Sequence, residues 1–105
     1  MTPIKKHAIT MIWQGHNNMA IVDELAARFD ILESGQNSMY GVLADIRAEI
    51  ADFREKAPAL AEQCFEQGDD WRTVIEKFQE IGLIPSIEYI AICVKASAKV
   101  QAAAQ

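Results

Sequence analysis

Two histidines, two cysteines and two adjacent acid pairs are the side chains of this chain whose types suit catalysis or metal binding. A zinc site needs three or four thiolate or imidazole ligands, usually at close spacing. Cys64 and Cys93 stand far from each other and from His7 and His16, so the spacing predicts no metal. Both cysteines fall on apolar helical faces, where a free thiol behaves as a small buried hydrophobe. No Ser or Cys lies at a spacing from His7 or His16 that signals a nucleophile pair, and neither a nucleophile elbow nor a phosphate loop occurs. The acid pairs Asp23–Glu24 and Asp69–Asp70 lie at or near expected helix starts, where carboxylates answer the positive end of the macrodipole. These observations predict no enzyme and no cofactor.

The elements that carry these residues read as helices throughout. Thr2 and Pro3 suit a first turn, and Ile4, Ala8, Met11 and Ile12 follow at helical spacing until Gly15. Asn17 or Asn18 caps a second helix with Ile21, Val22, Leu25, Ala26 and Phe29 on one face. "DILESGQNS" reads as a loop broken at Gly35, after which Asn37 or Ser38 caps a third helix that Pro58 stops. Pro58 opens a short fourth helix ending at Gly68, and Asp69 or Asp70 caps a fifth ending at Gly82. The sixth starts at Pro85–Ser86. Ile87, Ile90, Ala91, Val94 and Ala98 take one of its sides and Tyr89, Ile92 and Cys93 another, so it is apolar most of the way round. Such a helix is central to a core or covered by a partner. No stretch alternates with period two for long enough to make a strand. The expected fold is all-α, one compact domain of five or six helices.

A shift of 53 residues lays "QGHNNMAIVDEL" (Gln14–Leu25) on "QGDDWRTVIEKF" (Gln67–Phe78). The matching Gln-Gly, Ile21-Val22 on Val74-Ile75 and Leu25 on Phe78 suggest two related helix-turn-helix units, residues 1–57 and 58–105.

"AITMIWQGHNNMAIVDELAARFDI", continued by "QNSMYGVLADIRAEI", resembles a bacterial helix-turn-helix domain of the homeodomain-like kind over residues 8–50. The resemblance implies that the third helix is the recognition helix, its N-terminal end meeting base edges in the major groove. Carried onto this chain, that end presents Gln36, Asn37, Ser38 and Tyr40. Gln and Asn can pair bidentately with adenine, whereas Ser and Tyr commonly reach phosphates. Arg47 would contact the backbone further along, joined by Lys5, Lys6, His16 and Arg28. The second unit would dimerise through Ile87, Tyr89, Ile90, Ile92 and Val94, supplying the paired half-sites a transcriptional regulator needs.

Charge points the other way. The 105 residues carry a formal net charge of −5, whereas a nucleic-acid binder usually shows a basic patch. Affinity for DNA comes largely from phosphate neutralisation. The alternative expectation is a small acidic helical adaptor or inhibitor, of the kind encoded by phages and plasmids, that docks on a protein partner. No apolar run is long enough to span a membrane and no apolar leader precedes Trp13, so a cytoplasmic protein is expected.

Overall fold

The computed structural model describes residues 1–104. They form five helices: α1 (Pro3–Trp13), α2 (Asn18–Phe29), α3 (Glu33–Glu66), α4 (Trp71–Ile81) and α5 (Ser86–Ala104), with no strand among the described residues. The chain is all-α, as its apolar periodicity predicts. It divides into two compact units, Met1–Glu49 and Ile50–Gln105, and the boundary falls inside α3.

That long helix corrects the reading of two separate segments. Glu33, Ser34 and Gly35 are helical, so the "DILESGQNS" stretch is a connection of three residues, Asp30, Ile31 and Leu32, followed directly by helix. Pro58 lies within α3 rather than between two helices. Pro in a helix interior removes one ladder bond and crowds the preceding turn, at a cost of about 3 kcal/mol. Here Pro58 is exposed, while Ile50, Ala57, Ala61 and Cys64 are buried at helical spacing. Continuing that buried face offsets the interruption.

In the first unit α1 packs on α2. Its core comprises Ala8, Ile9 and Met11 from α1, Ile21, Val22 and Leu25 from α2, and Met39, Leu43 and Ile46 from α3. In the second unit α4 packs on α5. Phe78 is its centre: the Phe53 ring meets it edge-on at 5.7 Å and Tyr89 stacks on it at 5.7 Å. Two ion pairs tie α3 to α5 there, Arg54–Glu88 at 2.8 Å and Glu62–Lys99 at 3.1 Å. Because the partners advance together along both helices, the second half of α3 and α5 run in the same sense.

The 53-residue echo extends to hydrogen bonds. Gly15 donates to the Ile12 carbonyl and Gly68 to that of Phe65; His16 donates to Met11 and Asp69 to Cys64; Ile21 donates to Asn17 and Val74 to Asp70. Every donor and acceptor in the second corner is displaced by 53 from its counterpart. Gly15 and Gly68 have φ of 86° and 90°, left-handed values that cost a side-chain-bearing residue free energy. The open cap choices resolve equivalently: Asn17 accepts from the Ala20 amide and Asp70 from that of Thr73. Thr2 caps α1 by accepting from Lys5.

Candidate functional site

The α2–α3 corner closes on Asp30, whose φ of 54° is left-handed, a conformation that Asp tolerates better than most residues. The Ala26 carbonyl accepts from both Asp30 and Ile31. Three residues between the helices suffice for a helix-turn-helix corner. Asn37, Ser38 and Tyr40 lie exposed in the first two turns of α3, while Met39 and Leu43 face inward. Gln36 is half-buried, and its Nε2 donates to the Ile31 carbonyl at 3.3 Å.

The cations of this unit are engaged differently from what the resemblance implies. Arg47 donates from Nε to Asn18 Oδ1 at 2.8 Å and from Nη2 to the His16 carbonyl at 3.0 Å. It thereby holds the α1–α2 corner. Lys5 pairs with Glu49 at 3.0 Å. Lys6 and Arg28 are exposed and form no ion pair among the described residues. Across Met1–Glu49 four basic residues face six acidic ones, a net charge of −2. His7 places Nε2 3.5 Å from Glu24 Oε1 and lies edge-on to Phe29, with no nucleophile in the arrangement.

The first unit also holds a groove that the sequence pattern did not single out. It encloses about 320 Å3 between α1 and α3, over a floor of buried Ala8, Leu25, Leu43 and Ile46. Ile4 and Val42 line it while remaining exposed, and its polar lining residues are Thr2, Lys5, Asp45 and Glu49. Helical periodicity counts Ile4 and Val42 as core positions, and only the tertiary arrangement shows that they stop at the opening.

On α5 the two apolar sides separate. Tyr89, Cys93, Ala96 and Ser97 are buried, and Ile92 is half-buried. Ile87, Ile90 and Val94 point outward with 80%, 45% and 57% of their surface exposed, and Ala91 and Ala98 extend the same stripe. The stack of Tyr89 on Phe78 and the flanking pairs Arg54–Glu88 and Glu62–Lys99 fix which side turns inward. Of the five residues assigned to a dimer face, Tyr89 therefore belongs to the core, whereas Ile87, Ile90 and Val94 form an outward stripe.

The cysteines are free and buried. Burial pushes the Cys93 thiol pKa up, with nearby Cys64 adding to it. Lys77 Nζ sits 2.7 Å from Asp69 and 3.7 Å from Cys64 Sγ. Among the described residues no group of three His, Cys, Asp or Glu side chains is placed to hold a metal ion, and no helix is long and apolar enough to cross a membrane. Compared with family models, curated proteins and solved structures, the chain finds no match.

Proposed function

We propose that this chain is a small acidic protein-binding adaptor that associates with a second copy through α5. The observation that carries the self-association is the outward stripe Ile87, Ile90, Val94. Residues at i, i+3 and i+7 form one continuous line on a helix, the geometry of a helix–helix seam. Fully burying an exposed Ile or Val side chain contributes roughly 1.5–3 kcal/mol, and Ile90 and Val94, already about half buried, contribute proportionally less than Ile87. A self-complementary stripe suits the two-fold contact by which most homodimers form. Charge supports a protein rather than a polyanion as the further partner, because the chain is net −5 and its Arg47 and Lys5 are engaged internally. Sedimentation equilibrium tests the self-association: concentration-dependent dimerisation is expected, and it is lost in Ile90→Glu.

One observation favours a second reading, a helix-turn-helix regulator. The three-residue α2–α3 connection leaves Asn37, Ser38 and Tyr40 exposed at the start of α3, where such proteins read bases. Fluorescence anisotropy with random duplex at about 50 mM salt tests it, since phosphate-driven binding is strongest at low salt. Binding that weakens steeply as salt rises would favour this reading; no binding would remove it.

A further inference from the structure

We infer that the groove between α1 and α3 in the first unit receives one amphipathic helix of a protein partner, apolar on its inserted face and carrying Lys or Arg along its flank. The inference deepens the protein-binding reading above and rests on it. Three properties of the groove select this occupant.

The first is shape. The floor is buried core, so the depression is formed before anything binds, while Ile4 and Val42 keep apolar surface in water at its mouth. A volume of about 320 Å3 accepts a few inserted side chains rather than a whole helix. That is how an amphipathic helix lies on a groove, with anchors at i, i+3 or i+4, and i+7. The second is the scarcity of orienting groups. Small-molecule sites add a few convergent polar groups to an apolar lining. Here two of the polar lining residues, Lys5 and Glu49, satisfy each other at 3.0 Å. The third is charge. Asp45 forms no ion pair among the described residues, and Glu49 already balances Lys5, so the polar lining is net negative. A basic flank is steered toward it by the chain's overall charge of −5, and an acidic flank is repelled.

The test uses the full chain and three fluorescein-labelled peptides read by anisotropy. One is an 18-residue amphipathic helix of Leu and Lys, the second replaces each Lys by Glu, and the third is the chain's own α5 sequence, residues 86–104. Saturable binding of the Leu/Lys peptide is expected, with the Leu/Glu peptide at least about tenfold weaker, a difference of roughly 1.4 kcal/mol. Val42→Glu should weaken the Leu/Lys peptide about tenfold or more by placing a charge in the apolar mouth. Because Val42 is half exposed, that variant should keep its helical circular dichroism. Asp45→Asn should weaken the same peptide more at low salt than at high salt. Failure of the Leu/Lys peptide to bind, equal binding of the Leu/Lys and Leu/Glu peptides, or indifference to Val42→Glu overturns the inference. Tighter binding of the α5 peptide also overturns it, by making the occupant a second copy. None of these results alters sedimentation of the unmodified chain, which reports separately on self-association through α5.

Discussion

Arg47 on α3 and Asn18 at the start of α2 are joined by a 2.8 Å bond from Nε to Oδ1, and the same guanidinium reaches the His16 carbonyl. A cation that the helix-turn-helix resemblance assigns to phosphate is thus a fastener for the α1–α2 corner. The equivalent corner of the second unit is filled differently. Trp71, displaced by 53 from Asn18, packs its ring 5.2 Å from that of Phe65, displaced by 53 from Ile12. One corner is held by a charged donor and the other by an aromatic pair.

Arg47→Ala should therefore lower stability. A hydrogen bond from a charged group contributes about 1.5–3 kcal/mol, and partial exposure places this pair toward the low end. A loss of 1 kcal/mol moves the Tm of a domain this size by roughly 4–8 °C. Thermal unfolding followed by circular dichroism checks this. An unchanged Tm would mean that the guanidinium is free for other partners.

Phe78→Ala should be the most damaging of the aromatic replacements in the second unit. It removes a fully buried ring that Phe53 and Tyr89 both contact, and such truncations cost about 3–5 kcal/mol. Urea denaturation should show a lower midpoint at nearly unchanged slope.

Pro58→Ala should raise stability. The proline ring is exposed, and Ala restores a missing backbone donor within α3, worth on the order of 1–3 kcal/mol. A lower urea midpoint would show that the proline fixes a bend on which the packing of α3 depends.

The pH dependence has two opposite arms. Hydrogen bonds from Thr73, backbone first and hydroxyl second, hold the Asp70 carboxyl below its usual value. Its contribution is therefore present above the unfolded carboxylate range and is lost as pH falls through the lowered value. The hydrogen bond to Asp69 raises Lys77 above its usual 10.5. That contribution is present at neutral pH and is lost as pH rises through the raised value. Asp70→Asn keeps a good cap while removing the charge, so its urea midpoint should fall less on acidification than that of the unmodified chain. Lys77→Met should flatten the alkaline arm only.

The corners were the most legible parts of the fold, because Gly15, Gly68 and Gly82 take left-handed backbone values and Asn17 and Asp70 cap α2 and α4. These signals are local, and local chemistry decides them. Gly35 and Pro58 misled for the same reason. Each is a breaker by propensity, but Gly35 falls in the first turn of α3, and at Pro58 the buried face of Ile50, Ala57, Ala61 and Cys64 carries the helix through. The two apolar sides of α5 were visible in its spacing. Which one turns inward depends on Phe78, Arg54 and Glu62, residues far away in sequence. The groove was hidden for a related reason, since Ile4 and Val42 keep core-like spacing yet end at its open mouth.

Self-association is proposed to run through the outward face of α5, along Ile87, Ile90 and Val94. Sedimentation equilibrium of the unmodified chain and of Ile90→Glu, over about 1–200 μM, reads this contact without any probe and spans association free energies of roughly 5–8 kcal/mol. A dimer is expected for the unmodified chain and a folded monomer for the variant, with the same helical circular dichroism. A monomer at every concentration for the unmodified chain, or a dimer that Ile90→Glu leaves intact, would contradict it.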